Sequence, residues 1–271
     1  MFLPTTQKEM KALNWKGLDV ILITGDAYID SPFMGVAVIG KVLVDKGYRV
    51  GIIAQPDLTS DKDITRLGEP DLFWGITGGC VDSMVANYTA LKKKRRSDDY
   101  TPGGINNRRP DRAVIAYANL VRQYFKQTRP IVLGGIEASL RRIAHYDFWS
   151  DSIRRSILFD ARADYLLFGM AHGSILKFAS ALKEKRSPAS LKGVAWISKE
   201  KSGLELPSYE AVKESKDDYI KAFRIFYENN DALTAETLCQ KHQDRYLVIN
   251  PPELCSTVEE LDHIHSLDYE R

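Results

Sequence analysis

Four times along this chain a short apolar run ends at glycine and gives way to a segment of helical periodicity. Residues 19–25 are rich in β-branched side chains and reach Gly25-Asp26, residues 72–77 reach Gly78-Gly79, residues 130–133 reach Gly134-Gly135, and residues 163–168 reach Gly169. Residues 49–55 form a further short apolar run. Unalternating runs of this length mark strands buried on both faces, and parallel neighbours of that kind need crossover connections, usually helices. The pattern therefore predicts an α/β fold, with a doubly wound, Rossmann-like parallel sheet through about residue 186.

Helices are expected over residues 36–46, 82–91, 111–125 and 174–185; the first carries Val36, Ile39, Gly40, Leu43 and Val44 at helical spacing before the stop at Lys46-Gly47. The periodicity then changes. Residues 193–198 and 203–206 read as a hairpin or edge strands, 217–227 and 233–242 as amphipathic helices, 245–250 as a strand and 258–267 as a last helix. This divides the chain into an α/β domain, 1–186, and an α+β extension, 187–271. The stripe of Val258, Leu261, Ile264 and Leu267 needs a covering surface, supplied by the domain itself or by further protein.

With 44% hydrophobic residues the chain can bury a substantial core, and 38 basic against 36 acidic residues leave no global argument for a nucleic-acid, membrane or acidic partner. Cys80, Cys239 and Cys255 are odd in number and lack ligand spacing, which argues against a disulfide framework and a zinc site; the cytoplasm is the expected compartment. The N-terminus lacks the apolar core of a signal peptide, and no run reaches the length of a membrane span.

Ligands of open α/β sheets sit beyond the carboxyl ends of the strands. The glycine-ended strands bring Asp26, Asp30, Asp82, Glu137, Ser139, Arg141 and Arg142 to that edge, where they are expected to converge on one crevice, and Gly134 and Gly135 leave bare backbone for close approach. A helix starting near Leu140 would offer free N–H groups to an anion, with Arg141 and Arg142 adding charge and Arg141 and His145 sharing a face. The competing reading is structural. Glu137, Arg141 and Asp147 would pair to fix the loop, Ser139 would cap a helix, and His145, beside Tyr146, Phe148 and Trp149, would be a packed, hydrogen-bonded residue.

No GxGxxG fingerprint, Walker A loop, nucleophile elbow or zinc-protease motif occurs at a strand-to-helix junction. The basic run 92–96, with Arg108, Arg109, Arg112, Tyr88 and Tyr100 nearby, is the stretch suited to a phosphate backbone. Such a run at a helix end is usually a solvated face, and Asp98-Asp99 offset it, so nucleic acid is not the expected partner. Cys239, read as helical, and Cys255, in a loop, offer no catalytic setting, and Cys80 has no histidine near it in sequence.

Several longer blocks carry a resemblance: residues 1–6, Thr24-Gly25-Asp26-Ala27-Tyr28-Ile29-Asp30, Asp82-Ser83-Met84-Val85, residues 96–104, residues 134–151, and Arg245-Tyr246-Leu247-Val248-Ile249-Asn250-Pro251-Pro252. Together they resemble the N-terminal part of the YgiQ-type radical SAM proteins over essentially the whole chain. The resemblance implies a cobalamin-binding-like α/β domain ahead of a radical SAM barrel, in proteins that use a [4Fe–4S] cluster and S-adenosylmethionine. The family's CxxxCxxC cluster motif is absent here and lies, in the family, in the barrel beyond the point matching Arg271. No cofactor is therefore expected on this chain alone, and the barrel is expected C-terminal in the same chain. Ser31 stands where members often carry histidine, and the DxHxxG motif that supplies a lower cobalamin ligand is missing.

Three functions follow as expectations. The first is a domain that shapes or caps the substrate site of a radical SAM enzyme, with an unidentified substrate and no catalysis alone. The second is a self-sufficient small-ligand or cobalamin-binding module, and the third is an RNA-interaction module built on residues 92–96.

Overall fold

The computed structural model describes residues 1–270. In chain order it contains α1 (Gln7–Ala12), β1 (Val20–Thr24), α2 (Gly35–Asp45), β2 (Val50–Ala54), β3 (Phe73–Thr77), α3 (Ser83–Asn87), α4 (Ala113–Tyr124), β4 (Ile131–Gly134) and α5 (Gly135–Leu140). There follow β5 (His145–Asp147), β6 (Ser152–Arg154), α6 (Ile157–Ala161), β7 (Tyr165–Leu167), α7 (His172–Lys183), β8 (Val194–Ser198) and β9 (Leu204–Leu206). The chain ends with α8 (Tyr209–Glu214), α9 (Lys216–Glu228), β10 (Leu238–His242), β11 (Arg245–Ile249) and α10 (Val258–Ser266). Two compact units emerge: residues 1–137 with 256–271, and residues 138–255. The change of periodicity at residue 186 falls inside the second unit, in the connection between α7 and β8.

In the first unit the strands lie in the order β2-β1-β3-β4, every pair parallel. All five residues of β1 are buried, as a strand in the middle of a parallel sheet demands. α2 buries Val36, Ala37, Gly40 and Leu43, and the chain leaves it through Gly47 in the left-handed region, φ 81°. α3 stops at Asn87, short of the helix expected to 91, because Asn87 turns its side chain to Arg109 O and the Asp111 carboxylate, and Tyr88 bridges to Lys94. The C-terminal stripe packs back within this unit in part: Ile264 is buried and Leu267 lies against the cluster of Met34, Ala37 and Tyr269, whereas Val258 stays exposed.

In the second unit the order is β7-β8-β11-β10-β9, with β7 antiparallel to β8, β8 to β11 and β11 to β10. β9 is the edge strand and runs parallel to β10 without pairing with β8, so the hairpin reading of residues 193–206 is not the one realised. Residues 233–242, expected as a helix, hold β10 instead, and Cys239 is a strand residue. The reason is tertiary: Leu238 to His242 pair residue for residue with Arg245 to Ile249 across the turn at Gln243-Asp244, which overrides the helix preference of Ala, Leu, Glu and Lys. A small core of Ala144, Val212 and Ala222 seats α8 and α9.

Candidate functional site

From β1 the chain winds to β2 on one side, and from β3 it winds to β4 on the other, so the winding reverses between the carboxyl ends of β1 and β3. In sheets of this class that reversal opens the ligand crevice. Here the protein's own charges occupy it. Asp26 accepts from Arg109 Nη2 at 2.5 Å and from the Cys80 N–H at 2.6 Å. Arg109 Nε donates to Gly25 O at 3.0 Å, and its Nη1 stands 2.9 Å from Asp98 Oδ2. None of these three side chains is more than 2% exposed. Ions removed from water must be paired, and one guanidinium between two carboxylates meets that demand.

The surrounding contacts hold the cluster in place. Thr101 Oγ1 donates to Asp98 at 2.7 Å, while Gln55 Nε2 reaches both Thr101 Oγ1 and Gly25 O. At Gly79, φ is 113° and a Cβ would collide with the Asp26 carboxylate, so glycine is required there. Cys80 sits beside the same carboxylate; burial first, and the Asp26 charge second, push its thiol up to about 11, the opposite of an activated thiolate.

Glu137 and Asp82 act as helix caps. Asp82 accepts from the Met84 and Val85 N–H groups at 2.9 and 3.4 Å. Glu137 accepts from the Ser83 N–H at 2.9 Å and the Val114 N–H at 3.2 Å, joining the starts of α3 and α4. Asp30 closes on other partners: Lys41 Nζ at 2.8 Å, the Tyr28 hydroxyl at 3.1 Å and the Glu270 N–H at 3.1 Å. Gly134 ends β4 in register with Thr77, and Gly135, at φ 77°, has no room for a Cβ beside Thr77 Oγ1. The carboxylates thus serve separate internal partners and do not line one open crevice.

The remaining candidates belong to the second unit. α5 begins at Gly135 and ends at Leu140, so no helix starts near Leu140, Ser139 lies in a last turn and caps nothing, and Arg141 and His145 share no helical face. Strand termination at Gly134 lets the helix begin directly, which sequence periodicity placed five residues late. The Arg141 carbonyl accepts from the Ile157 N–H at 2.9 Å. His145 Nδ1 lies 3.0 Å from Ile143 O; the ring is the donor there, its buried Nε2 has no hydrogen-bond partner among the described residues, and burial lowers its basicity.

Arg142 has the more unusual setting. Its guanidinium lies over the rings of Phe168 and Phe226, 4.8 and 4.3 Å from their centroids, an arrangement suited to cation–π attraction. Nη1 donates to Ser139 O at 2.6 Å and Nη2 to Asn230 Oδ1 at 3.3 Å, while Nε is buried with no hydrogen-bond partner among the described residues. Burial alone pushes the group down to about 10. A narrow cleft, lined also by Glu236, Leu238, Ile249 and Pro252, opens beside it.

Sequence reasoning missed Arg109 as the partner of Asp26, and Phe168, Phe226 and Asn230 as the surroundings of Arg142. Arg109-Pro110-Asp111 immediately before a predicted helix was a signal for the first; the Asn229-Asn230 doublet closing a helix was one for the second.

The family model described as "Radical SAM N-terminal" matches residues 2–271. A UPF0313 protein of Fusobacterium nucleatum is 53% identical over 273 residues, covering 100% of this chain and 48% of that protein. A UPF0313 protein of Thermotoga petrophila is 52% identical over 276 residues, with 100% and 48% covered. The chain thus spans about half the length of these curated relatives and matches their N-terminal half. Among solved structures, the radical S-adenosylmethionine methyltransferase TsrM of Kitasatospora setae is similar at a TM-score of 0.44 and 18% identity, over 65% of this chain and 28% of that one. The match of the family model across almost every residue, together with two relatives above half identity, means that the chain belongs to the Radical SAM N-terminal family.

Proposed function

We propose that this chain is the substrate-side domain of a radical SAM iron–sulfur protein, offering the carboxyl edge of its parallel sheet to the catalytic half and performing no radical chemistry alone. The observation that carries this reading is an apolar edge. Ile29 and Phe33 follow β1, Val85, Leu91 and Ile105 follow β3, and Ile136 follows β4; all are exposed, Phe33 by 86% and Leu91 by 81%. Large exposed apolar side chains in the connections that leave the carboxyl ends of these strands support a surface that another protein body covers.

A [4Fe–4S] cluster with an open iron needs three neighbouring thiolates, and when bound it supplies the electron that cleaves S-adenosylmethionine. The residues of this chain do not fit it. Cys80 follows β3, Cys239 lies in β10 and Cys255 follows β11, and among the described residues no group of three or more His, Cys, Asp or Glu is arranged to hold a metal ion. The cluster and S-adenosylmethionine are therefore assigned to the other half of the full-length protein. A self-sufficient cobalamin module is the weaker reading, because Arg109 and its two carboxylates fill the crevice such a ligand would enter. An RNA module is weaker still: Arg95 Nε is already spent on the Val85 and Tyr88 carbonyls. Among the described residues no helix is long and apolar enough to cross a membrane, and all three cysteines are free; we assign the protein to the cytoplasm.

Reconstitution of the purified chain with iron and sulfide under reducing, oxygen-free conditions tests the central claim. Substoichiometric iron and no stable cluster absorbance are expected, and one [4Fe–4S] cluster per chain would overturn it.

A further inference from the structure

We propose that the buried Lys41–Asp30 pair is an anchor that ties residues 267–270, the stretch leading toward the catalytic half, to the loop after β1 that carries Ile29 and Phe33, a role that rests on the docking reading above. In the relatives the polypeptide continues beyond the part this chain matches, so these residues are followed there by the catalytic half. Lys41, on α2, and Asp30 approach to 2.8 Å, and their side chains are only 5% and 1% exposed. A buried ion pair holds well only when its remaining donors and acceptors are also met.

An ammonium has three N–H groups to place. Lys41 directs its own to Asp30, to the carbonyl of Met1 and, at 2.5 Å, to the carbonyl of Asp268. Asp30 in turn accepts from the Tyr28 hydroxyl and from the Glu270 N–H, both at 3.1 Å. The two charges therefore grip the C-terminal backbone on either side of Tyr269. That side chain is buried with Met34 and Ala37, and Leu267 and Tyr28 lie against the same cluster. Chain ends fray unless they are tied down, and this one is tied to the loop at the carboxyl end of β1. Asp30 sits in that loop between the exposed Ile29 and Phe33. A connection fastened beside a docking surface raises the effective concentration, at that surface, of whatever follows it.

Hydrogen exchange of the intact chain tests the anchor without the catalytic half, so its failure is distinguishable from a failure of the docking reading. Lys41→Met should speed exchange of the Glu270 amide at least about tenfold more than that of the β1 to β4 amides, as local release requires. Should that variant fold poorly, Glu270→Pro gives a second reading, because it deletes the N–H donated to Asp30 and keeps the ion pair. It should speed exchange several-fold at Met34, whose N–H is bonded to Ser31 O at 3.0 Å beneath Tyr269. Glu270→Ala, which removes only an exposed side chain, should leave Met34 unchanged. Equal acceleration at Glu270 and across the sheet in Lys41→Met, or a Met34 amide indifferent to Glu270→Pro or equally affected by Glu270→Ala, would overturn the proposal.

Discussion

His242 shows what burial does to a single titratable residue. Its ring stacks on Phe159 and Tyr209, with centroids at 4.5 and 5.4 Å, Nε2 lies 3.2 Å from Gln240 Oε1, and Nδ1 is buried with no hydrogen-bond partner among the described residues. Desolvation first, and the charge of Arg155 second, hold it down to about 3, far below the ordinary histidine value. The unfolded chain takes up a proton near pH 6.5 whereas the folded one resists it down to about 3, so the stability this residue contributes is complete above 6.5 and is lost as pH falls through that interval. Between pH 7.5 and 5 the wild-type chain should lose up to about 2 kcal/mol through this residue. Denaturant titrations across that range should show a flatter profile for His242→Phe; an unchanged slope would refute the assignment. At the same scale, the buried charges were visible in the sequence but their partners were not: Asp26 and Arg109 lie 83 residues apart and meet only because a loop returns over the sheet edge.

At the level of elements, the starts of α3 and α4 depend on one side chain from α5. Glu137 accepts backbone N–H groups from both, so removing it strands two buried donors. Glu137→Ala should cost roughly 3 kcal/mol by chemical denaturation, and Glu137→Gln, which keeps one oxygen acceptor, roughly half as much. Hydrogen exchange should localise the loss to the amides of Ser83 and Val114; uniform loosening would contradict the capping role. The strands β1, β3 and β4 were legible because continuous apolar runs ending in glycine have few other solutions, β2 because it too is a short apolar run, and α9 because its amphipathic period is strong. β10 was not, since its local preference is helical and only the neighbouring strand β11 reverses it. α5 was misplaced for a related reason: a positive φ at Gly135 starts a helix at the strand end, where periodicity has too few residues to register.

For the molecule as a whole, the exposed apolar side chains after β1, β3 and β4 are what the proposed docking rests on. If the catalytic half covers them, the separately produced C-terminal half of the Fusobacterium nucleatum relative should bind this chain. Phe33→Ser with Leu91→Ser should weaken that association by at least about tenfold while changing folding stability by no more than about 0.5 kcal/mol, since both side chains are exposed. Analytical ultracentrifugation of the mixtures decides this, and an association indifferent to both substitutions would remove the edge as the docking surface. The sequence by itself determined the parallel α/β core, the family and the lack of a cluster-binding cysteine motif, because strand length, glycine stops and ligand spacing are local properties of the chain. Tertiary structure alone decided that Asp26, Asp82 and Glu137 are internal partners, and that Arg142 lies over two aromatic rings with no carboxylate partner among the described residues. The free energy of a charged group depends on what long-range folding places around it, and no local pattern records that.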